Sequence, residues 1–517
     1  MIIHWVTKLA DKIVKERGYK VTIASGITTS GPPHLGTVCE FLYPWALVKE
    51  LKRRGVETYF IFVGDIMDAF DSIPLTLKKY ERELKQHLGK PLCRVPDPYG
   101  CHGSYGEHFL GEVEKVMEEF NVVLDEIVGS NALYERGYYD KYLKLFIEKF
   151  DCVKRILEET SLRKLPENWK DIVLPICKKC GKIATTRVLE FDAKNERIRY
   201  ICDKDVGYTK GCEYEGYVTI NSHEWKLAWR LDWPSRQDFL KVDVEGAGVD
   251  HHTRGGSWDT AVAIHERVFG KKPPIGFKYG FILIHGRKMS KSKGLGDLKY
   301  VLSLVPPEIL KYFLFKGSLE ENKNFKDDAY FLLRLYEEFK QVGLLIEKRV
   351  EVKDTALAKK VYAYTLAADV SKAVFHISFA DILVLYQIYK NWEYVRKRLG
   401  YPEEVERLSK YVRNWINFGI IPKEYLIEFK PTPVKEYREV VKEFAQTLNP
   451  NMRDVDVHNL VYEVARKYNV NPKDLFKTLY IALLGQPRGP RLGRLIVALG
   501  IEKVKKTLLE LVWGIES

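Results

Sequence analysis

The stretch that decides the fold reads VTIASGITTSGPPHLGT and covers residues 21–37. Its first residues, Val21–Ala24, form an apolar run rich in β-branched side chains, which predicts a buried strand. A loop of Gly, Ser and Pro then leads into a helical pattern that continues to Leu51, and a second apolar strand pattern covers residues 58–63. A strand, a helix and a strand in this order predict a βαβ unit of a parallel sheet. Pro44 lies within the helix and predicts a kink or a later start there.

Further strand patterns occur at Val122–Val128, Phe239–Val244 and Phe281–His285. Their wide spacing indicates an open parallel sheet that is interrupted by a large insertion, for which the Cys-rich stretch at about 90–217 is the obvious candidate. From about residue 330 onward the pattern changes to long amphipathic helices. The predicted fold is therefore α/β, with a Rossmann-type parallel sheet and an insertion, followed by an all-α region.

Composition narrows the class of protein. The 517 residues suffice for two to four domains of about 100–200 residues each. Apolar residues make up 46% and charged residues 30%, and no apolar run reaches the roughly 18 residues of a membrane span. The N-terminus lacks the apolar core of a signal peptide, so a cytoplasmic protein without membrane contact is expected. A net charge of +13 favours a polyanionic partner.

The loop Gly26–Gly36 is interpreted as a phosphate-binding turn. It follows a strand of the predicted parallel sheet, and ligands bind at the carboxyl ends of such strands. His34 lies near the start of the helix, where free backbone N–H groups and the helix dipole favour phosphate. A turn that only caps the helix is the alternative, and neither a Walker loop nor GxGxxG is present. The segment also carries hydroxyl side chains at Ser25, Thr28, Thr29, Ser30 and Thr37.

A second loop, GRKMSKSKG at residues 286–294, directly follows the strand pattern FILIHG. A cationic loop at the end of a strand is suited to stabilising charge that develops on a polyphosphate. In isolation such a loop is most often solvated surface, but the turn at His34 makes a nucleotide site the better interpretation. Its cations are Arg287, Lys288, Lys291 and Lys293.

PHLG followed by KMSKS resembles the paired signatures of class I aminoacyl-tRNA synthetases, usually written HIGH and KMSKS. Over nearly its whole length the chain is similar to the class I lysyl-tRNA synthetases of the archaeal type. Thr37 stands where that family more usually has Asn, and residues 71–74 replace a more basic stretch. The segments that carry the resemblance are SGITTSGPPHLG (25–36), PDPYGCHGSYGEHF (96–109), WRLDWPSR (229–236), GVDHHTRGGSWDT (248–260), KMSKS (288–292) and LLGQPRGPRLG (483–493).

The resemblance implies a reaction in two steps. The lysine carboxylate attacks the α-phosphate of ATP and releases pyrophosphate, and a terminal ribose hydroxyl of tRNA(Lys) then attacks the lysyl-adenylate. The expected catalytic residues are His34 near the α- and β-phosphates and Lys288 and Lys291 on the pyrophosphate, with Mg²⁺ bridging oxygens. The residues expected to bind ATP are Thr29, Ser30, His34, Gly36, Thr37, Gly255, Gly256, Asp259, Lys288, Met289, Ser290, Lys291 and Ser292.

A lysine substrate requires carboxylates and aromatic faces for its ammonium group. Asp65 and Asp68 follow the second predicted strand, and Trp229, Asp232 and Trp233 supply aromatics and an acid within one short segment. Each Trp is also a plausible core residue. The lysine contacts implied by the resemblance are Gly26, Thr28, Trp233, His251 and Tyr279.

Two sets of residues have the composition of metal sites. The first set falls within twelve residues and offers the mixed S, N and O ligands that tetrahedral zinc accepts: Asp97, Cys101, His102 and His108. The second reads as a zinc-ribbon-like knuckle: Cys177, Cys180, Cys202 and Cys212. Asp205 competes with Cys212 for the fourth place of the second set. Two structural zinc ions are therefore expected.

The domain boundaries follow from the same patterns and the resemblance. We expect a catalytic domain over 1–300, interrupted at about 85–225 by the metal-bearing insertion, a connecting helical segment over 301–345, and an α-helical anticodon-binding domain over 346–517. The last carries cationic and aromatic clusters, among them Lys390, Trp392, Arg396, Lys397, Arg398, Arg413, Trp415, Arg488, Arg491 and Arg494. Core packing is the alternative for both Trp residues, and helix capping is the alternative for the last three Arg residues.

Three other functions are compatible with parts of this pattern. A glutamyl- or cysteinyl-type class I synthetase would share the signatures, although an acidic substrate would require an Arg-rich pocket. A non-catalytic RNA-binding derivative of a synthetase would not need intact His34, Gly36, Lys288 and Lys291. A nucleotidylyltransferase without RNA would have no use for the long helical region. The preferred prediction is a monomeric lysine–tRNA ligase with ATP, L-lysine and tRNA(Lys) as its partners.

Overall fold

The structure is a computed structural model that describes residues 4–192, 194–288, 297–368, 374–421 and 426–514. The described residues form two compact units. The first unit draws on the ranges Met1–Val301, Leu310–Phe325 and Val352–Ala367, and the second on Leu302–Ile309, Lys326–Glu351 and Ala368–Ser517.

The strands lie in the first 325 residues. They are β1 (Lys20–Ile27), β2 (Glu57–Gly64), β3 (Glu126–Gly129), β4 (Val173–Pro175), β5 (Thr186–Asp192), β6 (Arg197–Cys202), β7 (Tyr214–Thr219), β8 (Trp225–Leu227), β9 (Val244–Gly248), β10 (Ile275–Tyr279), β11 (Ile282–Ile284), β12 (Arg287–Lys288) and β13 (Lys323–Phe325).

The helices run along the whole chain. They are α1 (Trp5–Arg17), α2 (Thr37–Arg53), α3 (Glu81–Lys85), α4 (Tyr105–Glu119), α5 (Ser130–Glu135), α6 (Asp140–Glu148), α7 (Phe150–Ser161), α8 (Trp229–Phe239), α9 (Ser257–Ile264), α10 (Leu298–Leu304), α11 (Pro307–Phe315), α12 (Ala329–Glu347), α13 (Thr355–Ala367), α14 (Phe379–Tyr389), α15 (Trp392–Leu399), α16 (Pro402–Asn417), α17 (Arg438–Thr447), α18 (Asp454–Lys467), α19 (Pro472–Leu484), α20 (Leu492–Leu499) and α21 (Ile501–Trp513).

The first unit is built on a five-stranded sheet with the order β10-β9-β1-β2-β3. All of its strand pairs are parallel. From β1 the chain continues through β2 to β3 on one side and later returns through β9 to β10 on the other. The direction of winding therefore reverses between β1 and β9, and such a switch point leaves a crevice at the carboxyl ends of the two strands. This arrangement confirms the predicted α/β fold with a parallel sheet.

The crossover helix α2 accommodates Pro44 without ending. Proline lacks a backbone N–H, so the carbonyl of Glu40, four residues earlier, has no helical donor. The Ser25 hydroxyl of β1 donates to that carbonyl instead. The predicted change of helix start is therefore wrong, because a side chain of the neighbouring strand satisfies the exposed backbone group. The same bond ties Glu40 to the carboxyl end of β1.

Two predicted strands differ from the observed ones. Phe239 is the last residue of α8, and the strand of the central sheet begins only at Val244, the last residue of the predicted run. The FILIHG run does form a strand, β11, but it pairs with β12 and β13 in a small separate sheet. Apolar runs predict extended structure at these places, but which sheet they join depends on pairing with distant segments.

The insertion forms two small antiparallel sheets. β4 pairs with β8, and β5, β6 and β7 form a three-stranded sheet. Their core is continuous with the central sheet, since Ile198, Tyr200 and Trp225 belong to the same hydrophobic cluster as Ile61 and Val63 of β2. The Trp225 indole also donates to the carbonyl of Ile220 at 2.8 Å.

The regular secondary-structure elements described in the second unit are all helices, as predicted. Trp415 of α16 is fully buried, its indole donates to the carbonyl of Leu304 at 3.0 Å, and its ring packs on Phe379. Trp392 is half-buried and stacks on Tyr386 at 4.0 Å. Of the two Trp residues considered for RNA contact, Trp415 is therefore a core residue. None of the described helices is long and apolar enough to cross a membrane.

We predict that Trp415→Phe destabilises the second unit by about 1–3 kcal/mol, because it removes one of two hydrogen bonds to the carbonyl of Leu304, the other coming from Tyr336, and leaves a cavity beside the smaller ring. The control is Trp392→Phe, which removes the same atoms from a half-buried, stacked ring and is expected to cost under about 1 kcal/mol. Urea unfolding followed by circular dichroism measures both variants. Equal costs at the two positions would contradict the core role of Trp415.

Candidate active site

Two adjoining cavities lie at the carboxyl ends of β1 and β9. The smaller has a volume of about 240 Å³ and the larger about 480 Å³. Their shared wall consists of Ile27, His34, Glu40 and His251. The smaller cavity is further lined by Gly36, Thr37, Cys39, Gly248, Asp250, Tyr279, Gly280, Phe281 and Ile282. The larger is further lined by Gly26, Thr28, Asp68, Trp229, Trp233, Arg236, Glu245, Gly246 and Ala247.

His34 is held by the first turn of α2. The backbone N–H of Thr37 donates to His34 Nδ1 at 3.2 Å, and the backbone N–H of His34 donates to Thr37 Oγ1 at 3.1 Å. This reciprocal capping satisfies helix-start donors and fixes the orientation of the imidazole. His34 therefore stands at the helix N-terminus, as predicted, on the wall common to both cavities.

Glu40 is a site residue that the motif-based predictions missed. Its carboxylate accepts a hydrogen bond from the Tyr279 hydroxyl, 239 residues away, and both side chains line the smaller cavity. Burial raises the pKa of Glu40 to about 7, although the Tyr279 hydrogen bond works in the opposite direction. A signal was present in the sequence, because Glu40 is an acid within the apolar run TVCEFLY. An acid at such a position needs a partner.

The larger cavity has an aromatic side and an acidic side. The Trp229 and Trp233 rings stack with centroids 5.3 Å apart, and His251 packs edge-on against Trp233 at 5.5 Å. On the acidic side lies Asp68. Its carboxylate accepts a 2.6 Å hydrogen bond from the Thr28 hydroxyl. Burial and the charge of Asp65 raise the pKa of Asp68. The cavity thus offers aromatic faces and a carboxylate to one ligand.

Asp65 and Asp232 lie behind this wall. Asp232 is fully buried and Asp65 is 3% exposed. Lys226 Nζ lies 3.3 Å from a carboxylate oxygen of Asp65, of Asp68 and of Asp232. The Arg236 guanidinium lies 3.9 Å from both Asp65 and Asp232. The two carboxylates predicted to contact a substrate therefore have internal cations, and Lys226 and Arg236 were missed because they are far from Asp65 in sequence.

Gly26 is required where β1 meets β2. A Cβ atom at this position would lie 2.5 Å from the carbonyl oxygen of Val63. Only glycine fits such a close approach, and the absence of a side chain leaves the backbone open to the larger cavity.

Five of the remaining predicted nucleotide contacts line neither cavity: Thr29, Ser30, Gly255, Gly256 and Asp259. Thr29 and Ser30 are buried, and the Thr29 hydroxyl donates to the carbonyl of Gly106 at 3.0 Å. Gly255 and Gly256 precede α9, which carries Asp259, and their carbonyls accept hydrogen bonds from Arg230. Lys288 is the last residue of β12. Met289, Ser290, Lys291 and Ser292 lie outside the described residues.

The first predicted metal set converges in space. The candidate ligand atoms of Asp97, Cys101, His102 and His108 lie within 4.8 Å of one another. Cys101 Sγ is 3.1 Å from His102 Nδ1 and 3.3 Å from His108 Nδ1. Burial favours the neutral form of Asp97, but backbone N–H groups outweigh it and lower its pKa to about 2. An ionised carboxylate, a thiol and two imidazoles fit a tetrahedral cation.

The second predicted metal set converges as well. Cys177 Sγ lies 3.6 Å from Cys212 Sγ, and Cys180 Sγ lies 3.7 Å from Cys202 Sγ. These separations match the edge of a tetrahedron with metal–sulfur bonds of about 2.3 Å, which is about 3.8 Å. Asp205 instead pairs with Lys210 at 3.0 Å and accepts the backbone N–H of Gly207. Cys212 is therefore the fourth member of this set.

Comparisons with known proteins agree with this geometry. The model of the family described as tRNA synthetases class I (K) matches residues 3–368. The chain is 31% identical to a lysine–tRNA ligase of Archaeoglobus fulgidus, covering 98% of this chain and 99% of the relative. It is 32% identical to the lysine–tRNA ligases of Pyrococcus horikoshii and Thermococcus kodakarensis, with the same coverage. The chain belongs to the class I tRNA synthetases of this family and is an enzyme of the ligase type.

Proposed function

We propose that this chain is a lysine–tRNA ligase that acts as a cytoplasmic monomer. It activates L-lysine with ATP and transfers the lysyl group to the 3′ end of tRNA(Lys). The observation that carries this proposal is the cavity lined by Asp68, Trp229 and Trp233, which adjoins a second cavity across His34. The names of the curated relatives support the same substrate.

The charges around the larger cavity favour a cationic substrate over an acidic one. Arg236 lines this cavity and is a group that a glutamate side chain could use. However, Asp65 and Asp232 both lie 3.9 Å from its guanidinium, and Glu245 lies on the same cavity wall. A substrate carboxylate would therefore meet acids around the only cation it could reach among the described lining residues, whereas an ammonium group would meet Asp68 and two aromatic faces.

The reacting atoms are expected to meet at the wall that the two cavities share. If ATP occupies the smaller cavity and lysine the larger, the substrate carboxylate and the α-phosphate meet beside His34 and His251. His34, held at the start of α2, is placed to hydrogen-bond phosphate oxygens, and the dipole of α2 favours their charge. Glu40 and its Tyr279 partner are placed to accept the α-ammonium group of lysine. No protein nucleophile is needed, because the substrate carboxylate itself attacks.

Lys288 and Lys291 complete the proposal on the pyrophosphate side. Cations at this loop offset the charge that develops as pyrophosphate leaves. Mg²⁺ enters with ATP as the counter-ion of its phosphates, and we assign it no protein ligand. Thr29, Ser30, Gly36, Thr37, Gly255, Gly256, Asp259, Met289, Ser290 and Ser292 remain proposed nucleotide contacts.

The test of the proposed function is ATP–pyrophosphate exchange with each of the twenty amino acids. We expect exchange with lysine and none above background with glutamate or cysteine. Asp68→Asn is expected to raise KM for lysine roughly 10- to 100-fold, since a hydrogen bond to a charged group contributes about 1.5–3 kcal/mol. Its KM for ATP should stay near the wild-type value.

The matched control is Asp71→Asn, which changes an acid of the same segment that is exposed and lines neither cavity. It is expected to keep the wild-type KM for lysine. Exchange with glutamate in place of lysine, or an unchanged KM in Asp68→Asn, would overturn the proposal.

We further propose that both metal sets hold structural zinc. Each set offers four converging ligands, which is typical of closed structural sites. Around the second set, Gly211 approaches the backbone of Cys202 so closely that a Cβ would lie 2.2 Å from its carbonyl oxygen. That approach brings Cys212 to the knuckle. Zinc at these places would stabilise the fold around the insertion and take no part in the reaction steps.

We predict about two zinc ions per chain by elemental analysis, because each set provides one closed four-ligand site. Cys212→Ser and Cys101→Ser should each lose one ion, and Asp205→Ala should keep both. Cys152→Ser, which changes a cysteine outside both sets, is the control and should also keep both. A full zinc content in Cys212→Ser would contradict the assigned ligand.

The helical second unit is the proposed anticodon-binding part of the enzyme. Several of its cations have protein partners: Arg398 donates to the carbonyl of Val497 at 2.7 Å, Arg396 pairs with Glu406, and Arg494 lies 3.3 Å from Asp381. The turn between α19 and α20 carries two further cations, Arg488 and Arg491, and both are exposed. Exposed arginines on a turn are suited to hold RNA phosphates.

We predict that the double variant Arg488→Ala/Arg491→Ala weakens tRNA binding and lowers the slope of log Kd against log salt by about two, one for each lost phosphate contact. Lysine activation without tRNA should be unchanged. Arg396→Ala, whose guanidinium is paired in the protein, is the control and should bind tRNA normally. Filter binding over a salt series measures all three proteins, and an unchanged slope in the double variant would exclude this contact.

A further inference from the structure

Five charged side chains, four of them at most 5% exposed, form a group at the wall of the larger cavity. We call Asp65, Asp68, Lys226, Asp232 and Arg236 the buried charge group. Lys226 is 2% exposed, and its Nζ lies 3.3 Å from a carboxylate oxygen of each of the three aspartates. Arg236 is 5% exposed and lies over the Trp229 ring, with 5.5 Å from its guanidinium carbon to the ring centroid.

The partners within the buried charge group are unequally distributed. Asp65 and Asp232 each lie near both cations and also accept neutral hydrogen bonds, Asp65 from Ser130 at 2.9 Å and Asp232 from Tyr139 at 3.2 Å. Among the ion pairs of the described residues, Asp68 has Lys226 as its cation, and that ammonium is shared with the other two acids. Asp68 is also the aspartate of the group that lines the cavity, with a side chain 33% exposed.

The charges of the group do not balance. Three carboxylates and two cations leave one negative charge in a site that is largely withdrawn from water. An uncompensated buried charge is costly, and a cation that completes the set removes that cost. Burial raises the pKa of Glu40 and of Glu245, the other acids on the cavity wall. Tyr279 donates a hydrogen bond to Glu40, and Gln237 donates one to Glu245. Both donors are neutral, so neither supplies the cation that the group lacks.

We propose that Lys226 and Arg236 are positioning residues that offset two of the three aspartate charges, and that the ε-ammonium of the substrate completes the group as its third cation at Asp68, the aspartate that lines the cavity. This inference rests on the proposed function, because it takes lysine as the substrate. Amino-acid specificity would then depend on the net charge of the buried charge group. Asp65, Lys226 and Asp232 help to set that charge although they do not line the cavity.

The uncompensated charge would also lead to rejection of a neutral analogue of lysine. Norleucine has the same four side-chain carbons as lysine but no ε-ammonium, so it would enter the cavity and leave the group without its third cation. A site with a buried polar group discriminates strongly against a ligand that cannot pair with that group. Lys226 also limits the negative charge of the group. Without it three acids would share Arg236 alone, and their repulsion would raise their pKa values, so that protons would bind in place of the substrate.

The experiment is a double-mutant cycle that changes the net charge of the group, with the variants Asp65→Asn, Lys226→Met and the combination of both. In ATP–pyrophosphate exchange, Asp65→Asn brings the net charge of the group to zero and should raise KM for lysine at least about 10-fold with little change in kcat. It should also narrow the preference for lysine over norleucine. The double variant restores one net negative charge and should return KM to within about threefold of wild type.

The rescue in the double variant separates the proposal from a merely structural role. If the group only stabilised the fold, the double variant would lose at least as much as either single variant, and that result would overturn the inference. Tyr134→Phe is the matched control, since it removes a hydrogen bond to Asp232 without a change of charge. It should keep the wild-type ratio of lysine to norleucine activation.

Two measurements keep the outcomes distinct. Thermal unfolding of each variant shows which proteins are folded, and the comparison of Asp65→Asn with the double variant suffices if Lys226→Met does not fold alone. A wild-type enzyme that activates an amino acid other than lysine would refute the proposed function. A wild-type enzyme that activates lysine, combined with no rescue in the double variant, would refute this inference alone.

Discussion

The parallel pairing of β1 with β2 on one side and β9 on the other is the constraint on which the site depends. Because the direction of winding reverses at β1, the loops after β1 and β9 diverge and leave a crevice. The wall that the two cavities share is formed by residues from this region. His34 enters from the loop after β1, and His251 enters from the turn after β9. Both histidines reach the common wall because their strands are neighbours.

Burial then gives the site its chemistry. Glu40 is an ordinary carboxylate until α2 packs on the sheet, where loss of water raises its pKa to about 7. Burial disfavours a charged Lys226, but the three aspartates around it outweigh that effect and raise its pKa. In the second unit burial likewise raises the pKa of Asp381 to about 6, although Arg494 opposes the shift, whereas the proposed RNA contacts of this unit are exposed arginines.

The sequence by itself determined the features whose residues are close neighbours along the chain. The βαβ unit, the turn at His34 and the first set of metal-ligating residues could be predicted, because each depends on local periodicity or on short spacings. The second set was predicted except for its fourth member, where the structure favours Cys212 over Asp205. Asp97, Cys101, His102 and His108 converge because a turn and the first helical turns of α4 suffice to bring them together. The helical character of the second unit was likewise predictable from its amphipathic repeat.

The tertiary structure alone decided which distant residues meet. Glu40 and Tyr279 are separated by 239 residues, and Asp65 lies in a different segment from Lys226 and Arg236. No periodicity indicates that a lysine of β8 will neutralise acids after β2, since that pairing follows from how the insertion returns to the central sheet. The acids after β2 were predicted to contact lysine, and of the two Asp68 lines the larger cavity. Only their packing decided that Asp68 faces the cavity while Asp65 and Asp232 face internal cations, because in a low-dielectric interior each charge must be paired where it lies.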